Sequence, residues 1–149
     1  MKTKTIKQLL DEIQELSVQH GRSEKSVTLL AVSKTRSVAE IEKLAAQGQV
    51  CFGENYLQEA IEKIESLQHR NLEWHYIGKI QSNKTRQIAT HFDWVHTVDR
   101  LKIAQRLNDQ RPDNLPPIKI CLQVNSSGED SKGGVSFEAL HALALEVNQ

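Results

Sequence analysis

The chain has 149 residues, of which 38% are hydrophobic and 26% charged, a balance typical of one soluble globular domain with its own core. Its 19 basic and 19 acidic residues cancel, and no run of like charges would attract a phosphate backbone, which argues against nucleic acid as a partner. Acidic residues near the start argue against a secretory signal, and no apolar run of about 18 residues could span a bilayer. We therefore expect a cytoplasmic protein without a membrane or nucleic-acid partner.

The leading segment has the pattern of an amphipathic helix. Thr5 and Gln8 stand at the spacing of a capping box, apolar residues recur on one face after them, and Gly21 marks the end. Ser37 and Glu40 repeat the capping-box spacing at the start of a second helix. Between the two helices lies the first strand-like run, "VTLLAVSK".

Strand and helix patterns then alternate to the end of the chain. The five predicted strands recur every 21 to 26 residues and end at Lys34, Asn55, Gly78, Asp99 and Asn125. Alternating β and α units predict a parallel sheet with right-handed crossovers, either doubly wound or closed as a barrel. The first βα turn, "SKTRS", lacks the glycines of a dinucleotide-binding fold, and polar residues recur at the strand ends, which favours a (β/α)8 TIM-barrel type.

The length fits only part of such a barrel. Eight strands at this spacing need about 70 more residues than the chain has, in line with the usual size of the fold. We expect one α/β domain over residues 1–149, an incomplete barrel of about five βα units that lacks the C-terminal three strands.

The polar strand ends are the candidate site. Because the carboxyl ends of parallel barrel strands meet at one mouth, we expect Lys34, Asn55 and Asn125 to converge there, with His75 pointing from one layer below. The ordinary pKa of a lysine is near 10.4, but an apolar wall would favour the neutral amine, which can capture a carbonyl as a Schiff base. The alternatives are a solvated strand terminus for Lys34 and a hydrogen-bonded core residue for His75.

Other motifs carry less chemistry. Cys51 and Cys121 each lie in an apolar run outside any CxxC pair, which predicts free buried thiols. The six histidines show no H-x-x-x-H spacing, so we expect no metal site. The loop "SSGEDSKGG" could form an anion-binding nest, but its composition favours a surface turn.

Five collinear stretches resemble the motifs of a known family. They are "LLAVSKT", "FGENYLQEA", "LEWHYIGKIQSNK", "FDWVHTVDRLKIAQRLN" and "ICLQVNSSGEDSKGGV". In order, they are similar to those of the pyridoxal phosphate homeostasis proteins, whose barrel resembles the N-terminal domain of alanine racemase. The resemblance implies that Lys34 holds pyridoxal 5′-phosphate (PLP) as an internal aldimine, that Asn55 of the "GEN" motif lies near the cofactor ring, and that His75 and Asn125 line the mouth.

The same resemblance implies a function in vitamin B6 balance. The family is regarded as a carrier or regulator of PLP and not as an enzyme, so PLP itself and PLP-dependent apoenzymes are the expected partners. Members of the family continue through three further strands, where the groups that hold the cofactor phosphate lie. Two alternatives stay open: a PLP-dependent racemase or lyase, and a truncated relative that no longer binds the cofactor.

Overall fold

The computed structural model describes residues 4–129 and 131–148 and shows a parallel sheet flanked by helices. The strands are β1 Ala31–Val32, β2 Cys51–Glu54, β3 Glu73–Tyr76, β4 Trp94–Val98 and β5 Lys119–Leu122. The helices are α1 Ile6–Gln19, α2 Val38–Ala45, α3 Leu57–Ser66, α4 Thr85–His91, α5 Leu101–Asp109 and α6 Phe137–Val147, with one 3₁₀ turn at Ser82–Lys84 before α4.

The sheet has the order β1-β2-β3-β4-β5, and every neighbouring pair is parallel. This confirms the α/β fold with five parallel strands in chain order. Val32 stands opposite Gly53, Gly53 opposite His75, and His75 opposite Trp94, so these four residues form one level across the sheet. Since β1 and β5 each have one neighbour within the described residues, they are the two edges of the sheet.

Both predicted capping boxes are present. The main-chain N–H of Gln8 donates to Thr5 Oγ1, and the N–H of Thr5 donates to Gln8 Oε1 at 2.9 Å, which satisfies two donors at the start of α1. Ser37 and Glu40 make the same reciprocal pair at the start of α2. Two local sequence signals therefore begin two helices as expected.

The strands end one to three residues earlier than the sequence pattern indicated. β1 ends at Val32, although the N–H of Ser33 still donates to the carbonyl of Gly53 at 2.9 Å. The chain then turns, because Thr35 adopts a left-handed conformation with φ 62°. The residues expected to close the strands, Lys34, Asn55, Gly78, Asp99 and Asn125, lie instead in the loops that leave their carboxyl ends.

The hydrophobic core lies between the sheet and the helices. Phe52 and Trp74 point from β2 and β3 toward the helices with their ring centroids 5.8 Å apart, and Tyr76 meets Phe92 edge-on at 5.2 Å. Buried residues from the helices that pack against them are Ile41, Ala60, Ile88, Ala89, Ile103 and Leu107. Burial of this apolar surface is the main stabilising contribution to the fold.

The opposite face of the sheet, here called the inner face, is the one that a barrel would enclose. Leu30, Gly53 and Ile77 share it, since a Cβ built on Gly53 would lie 3.3 Å from Ile77 Cδ1 and 3.5 Å from Leu30 Cδ2. Val32 lies opposite Gly53 on β1 and is 52% exposed. The inner face is thus open next to β1, while the helix face is closed. Within the described residues no helix is both long and apolar enough to cross a membrane.

Candidate functional site

Lys34 lies in the turn that follows β1, and its side chain is exposed. Within residues 4–129 and 131–148, neither a hydrogen bond nor an ion pair engages its ammonium group. The apolar wall predicted beside this amine is open, because Val32 is half exposed. The structure therefore leaves the Lys34 amine accessible to a ligand that approaches the carboxyl edge of the sheet.

The turn that carries Lys34 is held from the helix side by buried polar groups. Ser33 is 4% exposed, and its hydroxyl donates to Glu54 Oε1 at 2.6 Å. Lys63, on α3, donates from Nζ to the same oxygen at 2.8 Å and to the main-chain carbonyl of Ser33 at 2.8 Å. Ser33, Glu54 and Lys63 together are called the anchor network below.

A second acidic residue extends the anchor network to the other side of Lys34. Glu59 accepts a hydrogen bond from Lys63 Nζ, and the main-chain N–H of Thr35 donates to Glu59 Oε1 at 2.7 Å. The hydrogen bond from Lys63 lowers the pKa of Glu59 and so favours its ionised form. Neither Glu54 nor Lys63 was predicted from the sequence; the one available signal was a charged residue on the otherwise apolar stripe of α3.

Asn55 follows β2 directly and is half-buried at the same end of the sheet. Its side-chain oxygen is buried and has no hydrogen-bond partner among the described residues. An unsatisfied buried acceptor costs free energy that a ligand donor could recover. Lys34 and Asn55 leave neighbouring strands at their carboxyl ends, so the structure brings these two predicted residues to one edge of the sheet, where the Lys34 side chain is exposed and the Asn55 side-chain oxygen is buried.

His75 lies one level below this edge, as the alternation along β3 predicted. It is 6% exposed, stacks on Trp94 at 5.7 Å, and hydrogen-bonds through Nδ1 to His96 Nε2 at 2.9 Å and through Nε2 to Glu73 Oε1 at 3.0 Å. Burial lowers the pKa of His75, while Glu73 opposes the shift. Its ring is thus a hydrogen-bonded core group turned toward the amino end of the sheet, and contact with a cofactor stays a prediction.

A polar cluster surrounds His75 on the inner face. Glu73 accepts from Cys51 Sγ at 3.3 Å and from Lys119 Nζ at 3.2 Å, and the Lys119 ammonium lies 5.1 Å from the Trp94 ring centroid. Ligand atoms of Cys51, Glu73 and His75 lie within 4.8 Å of one another. These atoms already bond to each other and to Lys119, so we interpret the group as a hydrogen-bonded network; the expected absence of a metal stays a prediction.

Both cysteines are free thiols, as predicted, with Cys51 buried and Cys121 half-buried. Burial and the adjacent Glu73 carboxylate raise the pKa of Cys51 to about 11. A neutral thiol is a poor nucleophile and metal ligand. Cys51 therefore serves packing and hydrogen bonding on the inner face.

Asn125 is engaged by its own loop. Its amide nitrogen donates to the carbonyl of Glu129 at 2.9 Å, and its side-chain oxygen accepts from the N–H of Gly128 at 3.0 Å. Its main-chain N–H donates to the carbonyl of Val135 at 2.8 Å. The structure thus uses the side chain of Asn125 to hold an exposed surface turn and does not bring it to Lys34; Asp130, in the same loop, lies outside the described residues.

Comparison with known proteins places the chain in a family. Residues 6–149 match the family model described as alanine racemase, N-terminal domain. A protein of Pseudomonas aeruginosa named pyridoxal phosphate homeostasis protein is 58% identical over 137 residues, covering 92% of this chain and 60% of the relative. One of the same name from Escherichia coli K12 is 50% identical over 143 residues, covering 94% and 61%.

Solved structures show the same fold. PipY of Synechococcus elongatus PCC7942 without PLP superposes with a TM-score of 0.78 at 40% identity, covering 92% of this chain and 65% of PipY. The form with PLP bound gives 0.76 at 39% identity, covering 92% and 64%. The chain spans about three-fifths of the length of the Pseudomonas aeruginosa and Escherichia coli relatives. It belongs to the family of alanine racemase N-terminal domains and, within it, is similar to the pyridoxal phosphate homeostasis proteins.

Proposed function

We propose that the chain binds PLP through an internal aldimine on Lys34 and acts in PLP homeostasis in the cytoplasm. The observation that carries the proposal is the exposed Lys34 amine after the carboxyl end of β1, in a turn whose main chain is hydrogen-bonded to Lys63 on the helix side of the sheet. Two similar proteins are named for PLP homeostasis, and one similar structure contains PLP. The proposal also includes one domain, residues 1–149, built as the first five units of a (β/α)8 barrel.

The proposed chemistry is a condensation. The neutral Lys34 amine adds to the aldehyde carbon of PLP, a C=N bond forms, and the aldehyde oxygen leaves as water. Asn55, whose buried side-chain oxygen has no partner among the described residues, is assigned the role of accepting a hydrogen bond from a donor on the cofactor or on an ordered water. We assign His75 a supporting position one level below, and Asn125 the shaping of the adjacent loop.

Trapping with borohydride tests the attachment residue. The protein is loaded with PLP, reduced, digested and mapped by mass spectrometry. We expect the adduct on the peptide that contains Lys34, and its loss in Lys34→Arg, because the guanidinium stays charged and does not add to carbonyls. Lys84→Arg is the matched control, since Lys84 is also an exposed lysine, and it should retain the adduct. An adduct found instead on Lys84 or Lys132 would contradict the proposal.

We propose a carrier or regulator and not a racemase or lyase. A racemase needs an acid or base on each face of the reacting carbon, and Lys34 supplies one group. We expect no sustained racemisation, decarboxylation or transamination of common amino acids by the PLP-loaded chain. Conversion that disappears in Lys34→Ala would instead favour the enzyme. Transfer of the cofactor to a PLP-dependent apoenzyme, followed by the recovery of that enzyme's activity, tests the proposed partners.

A further inference from the structure

The main chain is hydrogen-bonded on both sides of Lys34 to one connected set of side chains, of which Glu54 and Lys63 are buried and Glu59 is partly exposed. Before it, the carbonyl of Ser33 accepts from Lys63 Nζ at 2.8 Å; after it, the N–H of Thr35 donates to Glu59 Oε1 at 2.7 Å. Lys63 also bonds to Glu59, so a single ammonium group joins the two contacts. The backbone of the reactive residue is therefore held at its two neighbours.

The network is buried more deeply than stability alone would favour. Lys63 is 5% exposed and Glu54 is fully buried, and Lys63 Nζ lies 2.8 Å from Glu54 Oε1. Removing two charges from water costs several kcal/mol per ion, and apolar residues of similar volume are often as stabilising as a buried ion pair. Ala60 and Ile61 beside Lys63 on α3 are buried apolar residues, so the packing there accepts such side chains. The charged pair instead supplies donors and acceptors to the turn.

The turn is also strained at the residue that follows Lys34. Thr35 is β-branched and adopts φ 62°, a left-handed region that such residues rarely occupy because it is sterically unfavourable. The hydrogen bond from the Thr35 N–H to Glu59 holds this conformation. The side chain of Ser33 is buried toward the helices, whereas that of Lys34 is exposed to solvent. The turn therefore leaves the lysine accessible to a ligand.

We propose that Lys63, acting through Glu54 and Glu59, is a positioning residue for Lys34. The network fixes the main chain at Ser33 and Thr35, so that the amine reaches a carbonyl ligand from one starting geometry. Its contribution is faster condensation at Lys34 relative to other exposed lysines. This inference rests on the proposed function for its ligand, and its first test requires no cofactor.

That first test measures amide exchange of Thr35 in the unloaded protein. Glu59→Ala removes the acceptor of the Thr35 N–H, whereas Glu59→Gln keeps an oxygen at the same place; Glu59 is partly exposed, so both should fold. We expect exchange at Thr35 to rise about tenfold in Glu59→Ala, the loss of about one hydrogen bond, and to change by less than about threefold in Glu59→Gln. Equal exchange at Thr35 in the wild type and the two variants would show that Glu59 does not hold the main chain of the turn, and would overturn the proposal.

The second test measures positioning directly. Pyridoxal is condensed with the protein, trapped with borohydride, and the rates at Lys34 and Lys84 are compared by peptide mapping. The double variant Glu54→Leu/Lys63→Met replaces the buried pair by apolar residues, and Ile103→Val is the control for a core change remote from the turn. We expect the Lys34 rate to fall about tenfold or more in the double variant and in Glu59→Ala, with Lys84 unchanged and Ile103→Val like the wild type.

The two tests separate the possible failures. An unchanged ratio of Lys34 to Lys84 rates in folded variants would overturn the positioning role. If the double variant does not fold, the Lys34 rates in Glu59→Ala and Glu59→Gln decide the question: a rate that falls in the alanine variant and recovers in the glutamine variant supports positioning, and equal rates overturn it. If wild-type Lys34 forms no adduct at all, the proposed function fails and the positioning of a reactive amine fails with it, while the Thr35 exchange still reports whether the turn is anchored.

Discussion

Gly78 touches the main chain of Asn55 so closely that no side chain fits between them. A Cβ built on Gly78 would lie 2.5 Å from the carbonyl oxygen of Asn55 and 3.0 Å from its Cα. Real Cβ atoms do not approach backbone atoms this closely, and here the obstacle is main chain that cannot rotate away. The glycine therefore sets the distance between the segments that follow β2 and β3, next to the candidate site.

We expect Gly78→Ala to destabilise the protein by about 1–3 kcal/mol, because the backbone of Asn55 must shift to admit the methyl group. The free energy of unfolding is measured by urea titration. Gly133→Ala is the matched control: its nearest neighbour would be 3.6 Å away, an ordinary contact, and we expect a change within about 0.5 kcal/mol. Equal free energies of unfolding for the two variants would contradict this prediction and show that the backbone of Asn55 shifts without a loss of stability.

Arg111 ties the end of α4 to the loop before β5. Its Nη1 donates to the carbonyls of Ala89 at 2.6 Å and Phe92 at 2.7 Å, and its Nε donates to the carbonyl of Pro116 at 2.8 Å. We expect Arg111→Met to lower the free energy of unfolding by about 2–3 kcal/mol, since the aliphatic stem is kept but three carbonyls, two of them partly buried, lose a charged donor.

Arg36→Met is the control for Arg111→Met. Arg36 pairs with Glu40 on the surface at 3.6 Å, and exposed pairs of this kind contribute about 0–1 kcal/mol. If Arg111→Met lowers the free energy of unfolding no more than Arg36→Met does, water replaces the three hydrogen bonds of Arg111 without cost.

Stability should fall as the pH drops below neutrality. Burial lowers the pKa of both His75 and His96 below their usual 6.5, so the unfolded chain binds protons more readily than the folded one. The stabilising contribution is complete above pH 6.5 and is lost as the pH falls through the lowered values. Urea titrations between pH 7.5 and 5 should show the free energy of unfolding falling with pH. This dependence on pH should be weaker in the double variant His75→Gln/His96→Gln. An unchanged slope would assign the effect to other groups.

The exposed edge at β1 should promote self-association of this 149-residue chain. An unpaired strand edge can pair with another chain, and Val32, an apolar residue on β1, is 52% exposed there. We expect the apparent mass from light scattering to rise with concentration, and Val32→Lys to reduce the rise. Val18→Lys, which changes a 54% exposed valine on α1, should have little effect. A monomer at all concentrations would contradict this prediction.

The starts of two helices and the order of the strands could be predicted from local sequence patterns. The capping boxes at Thr5 and Ser37 begin two helices because they act within four residues, and the order of the strands follows from the short right-handed βα crossovers. The ends of the strands were not readable to the residue. Where β1 stops depends on the hydrogen bonds that Ser33 makes with residues far along the chain.

The candidate site shows the same division. Their position after parallel strands predicted that Lys34 and Asn55 lie at one edge, and the count along β3 predicted His75 one level lower. It could not show that the amide of Asn125 bonds within its own loop, since that depends on how the loop closes. Lys63 was missed for a similar reason: a lysine on an apolar helix stripe gives no indication of the buried glutamate that pairs with it.

The order of the strands has a consequence for synthesis on the ribosome. Each strand pairs with the one made just before it, so every sheet contact joins segments of the nascent chain that are close in sequence. Domains begin to fold from the N-terminus during translation. Each βα unit can therefore add to a growing sheet as it emerges, so that at every stage β1 forms one edge of the sheet and the newest strand forms the other.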